Sequence, residues 1–204
     1  MNIERALRNP KVIAAAAVVV LLVLGRKTVA EKISYSLADK TRFDAYFLKF
    51  GRQYGVSPAL LKATWLHESL AGTMPSVVHG EKFPDDAEGS KAESDGKSYG
   101  QMQITPDTAN RPRVRLGRTM TVRDLNTATT AIELAARIFA ELGTYYFPVG
   151  VYTPEKRLEY MIRAYNGGPG FLSTKQGRSD TPIYYASYIK PNLDHVLRTQ
   201  PELA

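Results

Sequence analysis

The sequence predicts a mainly α-helical protein with an N-terminal transmembrane helix. Apolar residues recur at helical spacing, and runs of alternating β-branched residues that would form strands are scarce. A charge-free run occupies residues 12–25. Serine or threonine followed by proline, a pair typical of helix starts, occurs repeatedly. These pairs are Ser57-Pro58, Thr105-Pro106, Thr153-Pro154 and Thr181-Pro182.

The charge-free run of residues 12–25 predicts a membrane anchor over residues 1–25. Fourteen helical residues extend about 21 Å, short of a hydrocarbon core of ~30 Å, so flanking cations must snorkel or the bilayer must thin. Arg26 and Lys27 stand between the run and a possible cleavage site at Ala30, which argues against a signal peptide. A cleaved signal or a buried soluble helix are the alternatives. Residues 26–40 read as a helical neck.

Composition restricts the partners of the chain. The formal net charge is +7, and residues 1–33 contribute +4 of it, from six Lys/Arg against two Glu. This basicity flanks the apolar run, where anionic lipid is the natural partner. The remaining residues are only mildly basic, and we expect no nucleic-acid partner. There is no cysteine, which excludes disulfides and thiolate metal sites.

Residues 41–204 are predicted to form one helical domain with an inserted acidic loop at residues 72–98. A first helix should begin near Thr41 and end within residues 51–55. Ser57-Pro58 should open a second helix reaching about Gly72. Two further apolar stripes predict helices that end at Gly143 and at the glycine-rich break of residues 166–170.

Glu68 is the first candidate for chemistry. It follows Leu61 and Trp65 at helical spacing, so we expect it to share their apolar face. Partial burial would raise the pKa of its carboxyl and keep it protonated, as a general acid requires. A salt bridge or a residue at a helix end is the structural alternative. His67 points about 100° away and is interpreted as packing or surface.

Three later segments favour a catalytic role for Glu68 over the structural alternative, because they supply amides and aromatic rings at glycine turns. They are Tyr99-Gly100-Gln101-Met102-Gln103, Ala164-Tyr165-Asn166-Gly167-Gly168 and the tyrosines Tyr184, Tyr185 and Tyr188. Together with Glu68-Ser69, in this order, they resemble the soluble lytic transglycosylase family, which has a lysozyme-like fold. The resemblance covers roughly residues 41–195.

The resemblance implies a reaction and a set of site residues. Glu68 would protonate the glycosidic oxygen between N-acetylmuramic acid and N-acetylglucosamine in peptidoglycan, then accept the proton of the muramic 6-hydroxyl, giving a 1,6-anhydro product. One residue would serve as acid and then base, with no cofactor and no metal. The implied substrate-binding residues are Ser69, Tyr99, Gln101, Met102, Gln103, Tyr165, Asn166, Gly167 and Tyr185.

Two departures from the family pattern leave rivals open. The usual Leu-Met-Gln is Gln101-Met102-Gln103 here, and the interval between Glu68 and Gly100 is long. A carboxylate of the insert could activate water and make an inverting hydrolase, with carboxyls ~6.5–9.5 Å apart. The insert carboxylates are Glu81, Asp85, Asp86, Glu88, Glu93 and Asp95. Cleavage of a peptide crosslink and an inactive structural protein are further alternatives.

We therefore expect a tethered peptidoglycan-degrading enzyme that penetrates the cell wall locally. Its catalytic domain would face the periplasm, or the protein would sit in the membrane of a bacteriophage virion and act during entry. The expected partners are the glycan strands of peptidoglycan and a lipid bilayer.

Overall fold

A computed structural model describes residues 41, 43–68, 98–174 and 185–204. The predicted anchor, the neck, Ser69, nearly all of the acidic loop and Thr181-Pro182 lie outside the described residues. Within the described ranges, no helix combines the length and the apolar character that crossing a membrane requires. The anchor therefore stays a prediction.

The described residues contain seven α-helices. Three short π or 3-10 segments lie between these helices and one follows the last of them. The α-helices are α1 (Asp44–Tyr54), α2 (Pro58–Glu68), α3 (Pro106–Ala109), α4 (Val122–Asn126), α5 (Ala128–Glu141), α6 (Pro154–Gly167) and α7 (Lys190–Thr199). The short segments are Leu142–Tyr146, Phe171–Ser173, Tyr185–Ile189 and Pro201–Leu203. In this part of the chain, β pairing is limited to two isolated bridges, Tyr99 with Ile104 and Val149 with Tyr152. The prediction of a mainly α fold is confirmed.

The start and end signals of α1 and α2 act as the sequence predicts. Gly55 ends α1 with φ 66°, a left-handed conformation that glycine adopts at little cost. The hydroxyl of Ser57 accepts a hydrogen bond from the amide of Leu60 at 3.4 Å, and Pro58 is the first residue of α2. These local contacts place both boundaries near their predicted positions.

α2 is the central helix of the described fold. Its residues from Pro58 to Leu66 are buried on every side, because α1, α5 and α7 pack around it. The spacing predicted an apolar face through Leu61 and Trp65, and both are buried; burial also extends to the other sides of the helix. Burial ends only at His67 and Glu68, which are half-buried. The C-terminal turn of α2 is therefore where this core helix becomes accessible.

Lys62 shows how the fold accommodates a cation in the middle of α2. Its side chain is 0% exposed, and its ammonium donates to a carboxylate oxygen of Asp44 at 2.7 Å. The other oxygen of Asp44 accepts from the amide of Gln200 at 3.3 Å. A buried charge without such a partner would cost several kcal/mol, so α1, α2 and the end of α7 are tied together here.

The predicted starts of α3 and α6 are also confirmed. The hydroxyl of Thr105 accepts from the amide of Thr108 at 3.2 Å, and that of Thr153 accepts from the amide of Lys156 at 3.3 Å. In both helices the next residue is proline. A threonine cap of this kind contributes about 1 kcal/mol to the helix.

The predicted end of α5 at Gly143 was wrong. The chain continues through a π-helical turn, Leu142–Tyr146, before it leaves the helix. Arg157 on α6 explains this continuation, because its guanidinium donates to the carbonyl oxygens of Gly143 at 3.0 Å and of Phe147 at 2.7 Å. These bonds satisfy carbonyls that would otherwise be left at the helix end.

Candidate active site

Glu68 lies at the C-terminal end of α2, where the buried helix reaches the surface of the core. The side chain of Glu68 is half-buried, so it is neither fully enclosed in the protein nor fully exposed to water. The negative charge of Glu68 is close enough to act on the hydroxyl of Tyr165. The structure thus brings together Glu68 and Tyr165, which are 97 positions apart in the sequence.

Tyr165 has a sheltered hydroxyl. Burial first, and the charge of Glu68 second, raise the pKa of Tyr165 well above its usual value. The phenol therefore stays protonated and donates a hydrogen bond to the carbonyl oxygen of Met102 at 2.8 Å. Its ring stacks on Phe139, with centroids 4.7 Å apart and planes 11° from parallel. Tyr165 is thus held from both sides as a fixed wall beside Glu68.

The turn at residues 99–104 requires glycine at position 100. Gly100 has φ 72°, and a Cβ built there would lie 1.8 Å from the carbonyl oxygen of Leu125. Gln103 has φ 47° without being glycine, and its side-chain amide donates to the carbonyl of Gly100 at 2.9 Å. The side chain of Gln103 therefore stabilises the turn on which Gln103 itself lies.

Gln101, the departure from the family pattern, has a buried partner. The indole N–H of Trp65 donates to its side-chain oxygen at 2.7 Å, and both side chains are buried. Trp65 lies about one helical turn before Glu68, so this bond links the 99–104 turn to the end of α2 that carries Glu68. An apolar side chain at position 101 would leave the indole N–H without this acceptor.

A pocket of about 260 Å³ lies beside Tyr165, and we call it the Tyr165 pocket. Its lining residues come from the 99–104 turn, α3, α5 and the end of α6. They are Ser98, Gln103, Ile104, Thr105, Thr108, Arg111, Ile138, Ala164, Tyr165, Asn166, Gly167 and Gly168. Amides, hydroxyls and one tyrosine dominate the polar part of this wall, and such groups suit a ligand rich in hydroxyls and amides.

Some of the predicted binding residues line this pocket and others do not. Gln103, Tyr165, Asn166 and Gly167 line it. Tyr99 is half-buried and pairs with Ile104 at the base of the turn.

Two predicted binding side chains have other surroundings. Met102 is 0% exposed and Gln101 2%, so their side chains support the turn and offer no surface to a ligand in this structure. The prediction that they bind substrate through their side chains conflicts with this burial.

The late tyrosines occupy two different places. Tyr185, the predicted site residue, is half-buried, and burial raises its pKa; the charges that act on it are those of Lys190, Glu159, Asp194 and Glu155. Tyr188 stacks on His67, with centroids 4.8 Å apart and planes 22° from parallel. Of these two rings, Tyr188 is therefore the one in contact with the helix end that carries Glu68.

His67, next to Glu68 in the last turn of α2, is held neutral. Burial lowers the pKa of His67 to about 4. Its ring supports Tyr188 by stacking, which agrees with the interpretation of His67 as a packing residue.

Arg111 is a pocket residue that sequence reasoning missed. In the sequence it begins a basic run, Arg111, Arg113, Arg115, Arg118 and Arg123, which favours a solvated surface, with contact to wall polymer or lipid as the alternative. Its guanidinium instead lies 2.8 Å from a carboxylate oxygen of Glu141, whose side chain is 4% exposed. The signal available in the sequence was Glu141 itself, a carboxylate at the end of the apolar stripe of α5.

Within the described ranges, no three His, Asp or Glu side chains come together as metal ligands. The expectation of a reaction without metal or cofactor stays a prediction.

Comparison with known families now identifies the class of protein. The family model described as the transglycosylase SLT domain matches residues 45–186, more than half of the 204 residues. The chain belongs to this family. Membership supports lytic transglycosylase activity on peptidoglycan in general terms, and the mainly helical architecture agrees with the lysozyme-like fold. No curated protein sequence matches the chain.

Proposed function

We propose that this protein is a peptidoglycan lytic transglycosylase in which Glu68 acts first as acid and then as base. The observation that carries the proposal is the position of Glu68, half-buried at the end of a core helix and beside Tyr165. A carboxyl in such a place is a suitable proton donor. Family membership supplies the substrate class.

The proposed reaction balances without water. Glu68 gives its proton to the glycosidic oxygen as the bond from that oxygen to the anomeric carbon of N-acetylmuramic acid breaks. The resulting carboxylate takes the proton of the muramic 6-hydroxyl, whose oxygen bonds to the same carbon. The products are a 1,6-anhydromuramic end and a free N-acetylglucosamine 4-hydroxyl, and Glu68 is again protonated.

The binding groups we propose are those that face the Tyr165 pocket. Gln103 and Asn166 present amides there, and the Gly167–Gly168 backbone lies open beside them. We propose that these groups hold the N-acetyl and hydroxyl groups of the sugar next to the cleaved bond. Tyr165 contributes a wall whose hydroxyl is already engaged by Met102.

Mass spectrometry of digested sacculi tests this proposal. The full chain should release fragments with 1,6-anhydro ends, each lighter by one water than a hydrolysed end. Glu68→Gln should lower the rate at least ~100-fold, because general acid–base catalysis contributes on that scale. Glu202→Gln, which changes an exposed carboxylate in the last turn of the chain, should leave it unchanged.

The other outcomes separate the rivals. Hydrolysed reducing ends would show a lysozyme-type hydrolase. Intact glycan chains with cut crosslinks would show an endopeptidase. Equal digestion by the parent protein and Glu68→Gln would remove Glu68 from the reaction, and no digestion by either would indicate a structural protein.

We further propose that residues 12–25 tether the enzyme to a membrane, with the catalytic domain facing the cell wall. The support is the apolar, charge-free composition of the run and its basic flanks, whose long side chains can offset the short span. A bacterial envelope and the membrane of a phage virion both fit this arrangement. Flotation with liposomes tests the tether: the full chain should float, and a chain with Leu21→Lys and Leu22→Lys should not.

A further inference from the structure

A second pocket, which we call the Tyr160 pocket, lies against a different set of α6 residues. It encloses about 620 Å³. Its lining residues are Phe147, Tyr152, Lys156, Glu159, Tyr160, Arg163, Pro169, Leu172 and Ser173. It shares no lining residue with the Tyr165 pocket. The reaction proposed above makes no use of it.

Three aromatic rings form one wall of the Tyr160 pocket. Tyr152 and Tyr160 meet edge to face, with centroids 5.4 Å apart, and Phe147 lies 6.1 Å from Tyr152 and 5.6 Å from Tyr160. Tyr152 remains 36% exposed. A large ring left partly open beside a cavity offers an apolar face with a polar tip to a ligand.

The position of these rings is fixed from behind. Arg157 donates to the carbonyl of Phe147 and to that of Gly143, across the π-helical turn. A Cβ at position 143 would lie 2.5 Å from the Arg157 guanidinium, so that side chain would have to shift. The aromatic wall is therefore preformed, which spares a ligand the entropy of ordering it.

The charged part of the Tyr160 pocket is formed by three side chains of α6. Glu159 accepts from Lys156 at 2.9 Å and from Arg163 at 2.8 Å. Burial acts to raise the pKa of Glu159, but the hydrogen bonds from Lys156 and Arg163 outweigh it and lower that pKa. The carboxylate stays ionised between two cations, so the group carries only one net positive charge.

We propose that the Tyr160 pocket is an accessory site for saccharide units of the peptidoglycan glycan strand, separate from the site that cuts. A pyranose ring combines an apolar C–H face, which suits the open Tyr152 ring, with hydroxyls that suit ionised donors and acceptors held in place. The volume lies within the ~300–1,000 Å³ typical of small-ligand sites.

This inference rests on the proposed function only for the identity of the polymer. A second contact on the strand would keep the enzyme on its substrate between cuts, because a tethered second binding event benefits from a high effective concentration. The expected signature is weaker binding to long strands when the Tyr160 pocket is changed, with unchanged turnover once substrate saturates.

Binding to glycan without cleavage tests the proposal. We would use the full chain carrying Glu68→Gln and measure its binding to soluble glycan strands, released from sacculi by an amidase that removes the stem peptides. Adding Tyr152→Ala should weaken binding about tenfold, as loss of one well-placed tyrosine commonly does. Tyr145→Ala is the matched control, because Tyr145 is an exposed tyrosine that lines neither pocket.

A second variant guards against misfolding. Ser173 is exposed and lines the pocket, so Ser173→Trp should obstruct it without removing a core side chain, again with about tenfold weaker binding. Unchanged binding by both variants would overturn the proposal. A loss seen only with sacculi that keep their stem peptides would also overturn it, in favour of a peptide site. Since Glu68→Gln is present throughout, failure of the proposed catalysis leaves this result readable.

Discussion

The two pockets beside α6 differ in how their polar groups are satisfied. Around the Tyr165 pocket, the hydroxyl of Tyr165 and the amide of Gln103 are bound to backbone carbonyls of the 99–104 turn. In the Tyr160 pocket, Lys156, Glu159 and Arg163 satisfy one another. The first arrangement fixes side chains to the backbone of the turn. The second fixes charged side chains to one another, with Lys156 at the surface and Arg163 buried.

Changes near the Tyr165 pocket should therefore cost more stability than changes in the Tyr160 pocket. Gly100→Ala should have the largest effect, destabilising the fold by at least ~3 kcal/mol, since its Cβ would lie 1.8 Å from the Leu125 carbonyl. Gly117→Ala is the control: its φ is 77° and nothing lies within 4 Å, so only about 1 kcal/mol of backbone strain is expected. Denaturant unfolding measures both, and equal losses would show that the 99–104 turn is not rigid.

Gln101→Leu, which restores the residue usual in the family, should destabilise the protein by about 2 kcal/mol. It leaves the buried indole N–H of Trp65 without its acceptor. Trp65→Phe combined with Gln101→Leu should cost less than the sum of the two single changes, because the unsatisfied donor is gone. A double-mutant cycle by thermal unfolding gives the coupling, and additive costs would contradict the proposed link.

The burial of His67 should make stability depend on pH. The pKa of His67 is about 4 in the folded protein and ~6.5 when unfolded, so between these values the unfolded state binds more protons. Stability is therefore lost as the pH falls from about 6.5 towards 4, by roughly 1 to 2 kcal/mol at pH 5.5.

His67→Phe keeps a ring against Tyr188 and removes the titrating group. Its free energy of unfolding should fall less than that of the parent protein between pH 7 and 5.5, measured by urea unfolding at each pH. An identical fall in both proteins would mean that His67 does not titrate in this way.

Lys156→Met in the Tyr160 pocket should have the smallest effect, under about 0.5 kcal/mol. The Lys156 side chain is 47% exposed, and exposed ion pairs contribute little because water and salt screen them. Arg163→Met is the matched comparison: its side chain is 8% exposed, and it should cost more. Chemical denaturation at low and high salt distinguishes the two variants. A larger loss of stability for Lys156→Met than for Arg163→Met would contradict the prediction.

The sequence predicts those features of the fold that depend on neighbouring residues. The starts at Ser57, Thr105 and Thr153 are local, since each hydroxyl caps an amide three residues later. The complete burial of α2 was missed because Lys62 reads as a surface residue until Asp44 is known to face it. The π-helical turn after α5 was missed for the same reason, as its stabilising group, Arg157, comes from another helix.

The features of the candidate site also divide into those that the sequence predicts and those that depend on packing between distant residues. Glu68, Tyr165 and Asn166 could be chosen from residue types and glycine turns. The burial of Gln101 and Met102 could not, because it depends on Trp65 and on the packing around the turn. The contact of Tyr188 with His67 also depends on how α7 packs against α2, which spacing along one helix does not reveal.

The bond between Asp44 and Gln200 has a consequence for how this domain can be carried. It joins the first residue of α1 to the residue that follows α7, with the two side-chain atoms 3.3 Å apart. A domain whose two ends lie close together can be inserted into a loop of another protein without distorting either fold. The same architecture therefore suits attachment through one linker or insertion between two.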